Sequence, residues 1–237
     1  MSSFIIFDLD GTLVDTEYEI ASFTADLAKA KGCPVDAQTA FRRYAGVSFK
    51  DKFNMIAGCH DRSFSAEEMK VMHEAYTARK VAMYKNPHIP MISGARDLVT
   101  RLSSSQDVTL SLASSNETHR SRAVLSAVGL SHCFGDRVYG SDMAGGLKKP
   151  DPTIHRLAMQ NCKDAIIVED SIPGVVAARA AGALYVVAYV DPRLVDGDLQ
   201  QRQQEYVYAG AYIIISSYDN FEARVLAMRP KPLVFQS

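Results

Sequence analysis

The chain has 237 residues, of which 47% are hydrophobic and 22% charged, with a formal net charge of −1. That length exceeds a disulfide-stapled peptide and suits one large domain or two small ones, and the hydrophobic share excludes general disorder. Lys+Arg 26 against Asp+Glu 27 gives no overall reason to expect nucleic acid or an anionic membrane surface as a partner.

Met1 to Asp10 has no basic residue, and the first Lys is Lys29. A secretory signal is therefore not expected. The longest apolar run, near Ala183 to Val190, falls far short of the roughly 20 residues that a membrane span needs. Cys33, Cys59, Cys133 and Cys162 are widely spread, with no CxxC pair. They read as thiols in a reducing, cytoplasmic setting rather than as a metal or disulfide framework.

In chain order, Phe4 to Phe7 is a short apolar run that stops at Asp8, and it reads as a buried strand. Similar runs follow at Val108 to Ala113, Ala165 to Val168, Ala183 to Val187 and Tyr212 to Ile215. Helical patterns lie between most of them. Thr118 to Val128 carries apolar Val124, Leu125 and Val128, and Pro173 to Ala181 has Pro in its first turn and Gly182 as its stop. Alternating strands and helices predict an α/β fold, a doubly wound parallel sheet covered on both faces.

One interval breaks the alternation. About a hundred residues separate the first strand from the second, far more than a crossover needs. Ser65 and Glu68 have the spacing of a capping box, and Met69, Met72, Tyr76 and Met83 then recur at helical spacing. Pro87 and Pro90 end that helix. The expected organisation is a helical insertion at 16–86 within a core of 1–15 and 87–237. The prolines in Arg229 to Ser237 suggest a frayed end.

Ligands of an open parallel sheet bind beyond the carboxyl ends of its strands. There the sequence places Asp8, Asp10 and Thr12, then Ser114, Ser115 and Asn116, then Glu169, Asp170 and Ser171, with Lys148 and Lys149 in a further loop. If the three strands are neighbours, four carboxylates converge and repel one another. A divalent cation relieves that repulsion, and oxygen-only ligands favour Mg²⁺. Lysine and hydroxyls beside such a site suit a phosphate. Of two acids at i and i+2, one would attack phosphorus and the other would move protons.

These residues resemble the haloacid dehalogenase superfamily of phosphotransferases. The resemblance rests on Asp8 to Asp15, Leu112 to Ser115, Lys149 to Pro152, and Val168 to Gly174 with Ala177 to Gly182, which match the four family motifs in order. The helical insertion resembles the type 1 cap of the β-phosphoglucomutase-like branch. The resemblance implies a Rossmann-like core with Asp8 as nucleophile, forming an aspartyl-phosphate, and Asp10 as acid and then base. It implies Mg²⁺ on Asp8, the Asp10 carbonyl, Glu169 and Asp170, and a phosphoryl group on Ser114 and Lys149. Lys149 is preferred to Lys148 because the family lysine directly precedes the proline.

Blander readings exist for single residues. Asp8 and Asp10 suit a turn, Glu169 and Asp170 suit a helix N-terminus, and Ser115 or Asn116 suits an N-cap as well as a phosphate. Lys148 suits a solvated surface. His60, His73, His88, His119, His132 and His155 show no ligand spacing and receive no role.

Mutases of the branch carry a His five residues after the Asp that ends the first motif, where this chain has Ile20. They carry an Arg after Gly-Val-Ser, where Gly46, Val47 and Ser48 precede Phe49 and Lys50. The expectation is a Mg²⁺-dependent phosphatase for a small phosphorylated metabolite, a sugar or polyol phosphate, acting as a monomer with no nucleic acid or membrane partner. Gly46 and Lys50 are the candidates for cap specificity. A β-phosphoglucomutase-type isomerase, or a non-enzymatic phosphate-accepting or sensing module, are the alternatives.

Overall fold

The computed structural model describes residues 3–86, 88–194 and 196–226. The expected fraying of Arg229 to Ser237 lies outside the described residues. Six strands form one sheet: β1 (Ser3–Phe7), β2 (Val108–Ala113), β3 (Val138–Tyr139), β4 (Ile166–Glu169), β5 (Tyr185–Tyr189) and β6 (Ile213–Ile215). Their order is β3-β2-β1-β4-β5-β6, and every pairing is parallel.

The strands are apolar because both faces of the sheet are covered. Successive side chains point to opposite faces, so each strand feeds two cores. Ile5 and Phe7 of β1, Ile166 and Val168 of β4, and Val187 and Tyr189 of β5 belong to one buried cluster. Ile6, Ile167, Val186 and Ala188, one residue out of step, belong to the other. A one-residue slip would exchange the two sets, so the register is strongly specified. It aligns Ile5 with Leu110 on one side and with Ile166 on the other.

Between β1 and β2 lie five helices: α1 (Glu17–Ala30), α2 (Ala37–Tyr44), α3 (Phe49–Gly58), α4 (Ala66–Tyr84) and α5 (Ala95–Ser103). The remaining helices are α6 (Thr118–Ala127), α7 (Ser131–Phe134), α8 (Thr153–Met159), α9 (Ile172–Ala180), α10 (Asp196–Ala209) and α11 (Phe221–Val225). Pro173 lies in the first turn of α9, whose Ser171 side chain accepts from Gly174 N. Among the described residues no helix is long and apolar enough to cross a membrane.

Two features were not legible as pattern. The two residues of β3 are too few to show any periodicity, and they pair only because Leu112 and Ala113 run beside them. The N-cap of α6 is Glu117, with no side-chain cap bond, so Ser115 and Asn116 do not cap it as the sequence allowed. The chain needs Asn116 elsewhere, as described below.

The order β3-β2-β1-β4 makes β1 the point where the chain leaves in both directions across the sheet. The helices on either side diverge there and open a crevice at the carboxyl ends. Asp8, Ser114 and Asp170 each follow one of the three central strands.

The capping box of α4 is formed. Ser65 Oγ accepts from Glu68 N at 3.2 Å, and Ser65 N donates to Glu68 Oε2 at 3.0 Å. Ser65→Ala is therefore expected to cost about 0.5–2 kcal/mol of stability. Urea unfolding checks this, with the slope unchanged and only the midpoint lowered.

Candidate active site

The turn after β1 is built around a close approach. Leu13 N and Val14 N both donate to Leu9 O, at 2.9 and 3.0 Å, and fold the chain back on itself. Gly11 sits at φ +76°, and a Cβ there would lie 1.9 Å from Asp170 Oδ2. Only glycine allows both the left-handed backbone and the contact. Thr12 Oγ1 then donates to Asp170 Oδ1 at 3.3 Å, and the Tyr206 hydroxyl donates to the Asp170 carbonyl. The loop thus delivers Asp170 from β4 against the segment that carries Asp8.

Asp8, Glu169 and Asp170 present carboxylate oxygens within 4.8 Å of one another. Burial, then mutual repulsion, holds Asp170 well above the usual carboxylate range. Burial also raises Asp8 well above that range, against the opposing pull of Lys149. Burial would raise Glu169 as well, but Lys149 and His155 outweigh it and leave it below the usual range.

Lys149 is buried, and its ammonium uses three acceptors. It donates to Asp8 Oδ1 and, at 2.8 Å, to Ala113 O at the end of β2, and it lies 2.5 Å from Glu169 Oε1. These acids outweigh the burial that would lower it, so Lys149 titrates above the ordinary lysine range. Exposed Lys148 has no such partners; it lines the mouth of the cleft.

Sequence reasoning missed one residue here. His155, on the inner face of α8, is fully buried, and its Nε2 is 2.9 Å from Glu169 Oε1. Burial pushes its pKa down although Glu169 opposes this. His155 therefore braces Glu169 on the side away from solvent. Its partner Glu169 comes from β4, a separate element, so no local spacing rule finds it.

Asp10 faces a different set. Thr16 Oγ1 and the Tyr84 hydroxyl donate to its Oδ1 at 2.7 and 2.9 Å, and Asn116 Nδ2 donates to its Oδ2 at 2.6 Å. Asn116 also donates to the Tyr84 hydroxyl at 3.1 Å. Tyr84 comes from the last turn of α4, and burial and Asp10 raise its pKa well above the ordinary value, which keeps it a phenol. Three elements therefore fix the Asp10 carboxyl. Ser114 is buried beside it, its Oγ accepting from Asn116 N at 3.1 Å.

Asp8, Asp10, Ser114, Ser115, Asn116, Lys149 and Asp170 all line one cleft of about 1040 Å³. Its other wall is helical and includes Gly46, where the backbone N donates to Glu17 Oε2 at 3.3 Å. Lys50 does not line the cleft; it is exposed on α3. Two residues along a helix is a turn of about 200°, so the lysine facing inward is Lys52, not Lys50. Of the residues expected to set specificity, Gly46 lines the cleft and Lys50 does not.

The acid set fits a divalent cation. Its ligand atoms are all oxygens, they converge, and two of the three acids resist ionising without a positive charge among them.

The chain is similar to known proteins in sequence and in fold. The family model described as haloacid dehalogenase-like hydrolase matches residues 5–188. The chain is 24% identical over 193 residues to the 6-phosphogluconate phosphatase of Escherichia coli, covering 79% of this chain and 83% of that one. It is 28% identical over 184 residues to the phosphorylated carbohydrates phosphatase of Thermotoga maritima, covering 75% and 81%. A conserved haloacid dehalogenase-like protein of unknown function from Agrobacterium tumefaciens shares the fold, with a TM-score of 0.80, 24% identity and coverage of 97% and 100%.

The raised pKa values of Asp8 and Asp170 set the sign of a pH effect. A carboxyl raised on folding supplies stability below its unfolded pKa and loses it as pH rises through the folded value. In chelator, Asp170→Asn is therefore expected to unfold a few degrees higher than the native chain. The margin should widen as pH rises above about 4, the unfolded carboxylate value. Excess Mg²⁺ should raise the native chain's Tm more than the variant's, which thermal unfolding with and without chelator reads directly.

Proposed function

This chain belongs to the haloacid dehalogenase-like hydrolase family, and from that premise we propose that it is a Mg²⁺-dependent phosphatase. Its substrate on this reading is a small phosphomonoester, a phosphorylated sugar or polyol. The observation that carries the proposal is Asp8, buried against Lys149 and Asp170 and open to a cleft of about 1040 Å³ that also holds Asp10. The Escherichia coli and Thermotoga maritima relatives, a 6-phosphogluconate phosphatase and a phosphorylated carbohydrates phosphatase, support the substrate class.

Asp8, Asp170, Glu169 and the Asp10 carbonyl would hold the cation. When bound it neutralises phosphoryl charge and relieves the repulsion among the acids. Asp8 attacks phosphorus through one carboxylate oxygen, and the bond from phosphorus to the ester oxygen breaks. Asp10 gives its proton to that leaving oxygen. Water then attacks the aspartyl-phosphate on Asp8, and Asp10 takes the water's proton, which restores both residues. Lys149 and Ser114 hold the phosphoryl oxygens through both steps. Thr16, Tyr84 and Asn116 keep Asp10 in place for both transfers.

Residues 16–86 would act as the cap, closing over the substrate about Thr16 and the segment from 87 to 90. Because Tyr84 of that segment bonds Asp10, movement of the cap would be felt at the proton-transfer residue. Hydrolysis is favoured over isomerisation by what stands at the two mutase positions. Ile20 is buried in the apolar core, and Phe49 packs its ring on Phe53, His73 and Tyr76. Neither offers a polar group to a sugar.

Purified protein should release phosphate from small phosphomonoesters with Mg²⁺, and chelator should stop it. Asp8→Asn should lower kcat by at least about 10³-fold, and Asp10→Asn by about 10²–10⁴-fold. A broad substrate panel with no phosphate release, or undiminished turnover by Asp8→Asn, overturns the reading.

A further inference from the structure

Lys52 carries a charge and is 3% exposed. It lies on the inward face of α3 with Phe53, Ile56 and Ala57. Its ammonium has one long hydrogen bond, 3.4 Å to the Tyr76 hydroxyl, and sits 5.4 Å from the centre of that ring. Among the described residues it forms no ion pair with a carboxylate. A buried ammonium with so little compensation is costly, and such a cost persists where the group serves a ligand.

Lys80 of α4 lines the same cleft, with its ammonium 5.7 Å from the centre of the Tyr84 ring. The acids of this wall are already engaged. Asp51 accepts from Ser48, Asp198 pairs with Arg42, and Glu205 pairs with Arg202. Glu17 accepts from Gly46 N, and its charge reaches Lys52 only at longer range. Burial pushes the Lys52 ammonium below the ordinary lysine range, which Glu17 opposes and Lys80 reinforces. Two cations from the helices of residues 16–86 therefore line the cleft that also holds Asp8, and among the described residues neither forms an ion pair.

We propose that Lys52 and Lys80 form an anion subsite, and that the phosphomonoester bound over Asp8 carries a second anionic group, a carboxylate or a further phosphate, at its far end. The substrate part of this inference rests on the phosphatase reading; the subsite itself is a matter of binding. A neutral polyol phosphate would leave both ammoniums unpaired when the cleft closes, whereas a far-end anion pairs them.

Calorimetry with Mg²⁺ on the Asp8→Asn protein, which should bind without turnover, tests it. Three ligands of equal carbon number serve as probes: an alditol phosphate, an aldonic acid phosphate with its carboxylate at the opposite end, and an alditol bisphosphate. At least one of the two ligands with an anionic group at each end should bind about tenfold more tightly than the alditol phosphate, and the tighter of them identifies the anion.

Adding Lys52→Met should bring that ratio to within about twofold, while Lys52→Arg keeps most of it. Should Lys52→Met fail to fold, Lys80→Met, at a half-buried position, should still lower the ratio severalfold. Equal affinity for all three ligands, or a preference that survives both Met substitutions, overturns the proposal. Preferential binding by a native enzyme that releases no phosphate from these ligands or from the broad panel upholds the subsite and removes the phosphatase reading instead.

Discussion

Three carboxylates with oxygens within 4.8 Å of one another, two buried and the third half-buried, repel one another strongly unless cations lie among them. Much of the site answers that constraint. Lys149 places its ammonium between Asp8 and Glu169 and anchors it on the Ala113 carbonyl of the neighbouring strand. His155 braces the far side of Glu169 from within α8. What these groups leave uncompensated is concentrated on Asp8 and Asp170, the two acids held above their usual range. The residues that would take a cation are thus the ones the protein has not neutralised by itself.

The sheet makes such an arrangement affordable. Strands buried on both faces give β1, β2 and β4 a fixed register, and the register sets where each carboxyl end stops. Asp8, Ser114 and Asp170 then meet with little freedom to drift apart. Two glycines permit the closest contacts. Gly11 lets the first loop touch Asp170, and Gly174 lets the first turn of α9 lie against Glu169 Oε2, where a Cβ would stand 1.8 Å away. The geometry of the acid cluster is a consequence of strand register and of two missing side chains.

The helices inserted after β1 do more than cover the site. Tyr84 reaches from α4 to Asp10, so the insertion and the core share a hydrogen-bonded group as well as apolar contacts. Arg193 adds a second tie. It forks onto Asp15 and Asp191 and lies over the rings of Tyr18 and Phe41, which belong to the insertion. One wall of the cleft therefore gathers the acids, and the other carries Lys52 and Lys80, which form no ion pair among the described residues.

Fold class and most of the acid cluster were legible because they depend on local chemistry. Apolar runs ending in acids mark strands at a sheet's carboxyl edge, and Ser65 with Glu68 marks a helix start, whatever the rest of the chain does. The residues that complete the site were not legible. His155 looks like any core position of α8 until Glu169 is brought beside it from β4. Asn116 suits a cap equally well, and only the approach of Asp10 and Tyr84 gives its amide a partner. Lys50 and Lys52 are alike as residue types, and the rotation of α3 against the core decides which one is buried. Sequence alone determined which chemistry the chain carries, since residue type and spacing are written in it. Tertiary structure alone decided which charges are left without partners, since that depends on groups far apart in the chain being pressed together away from water.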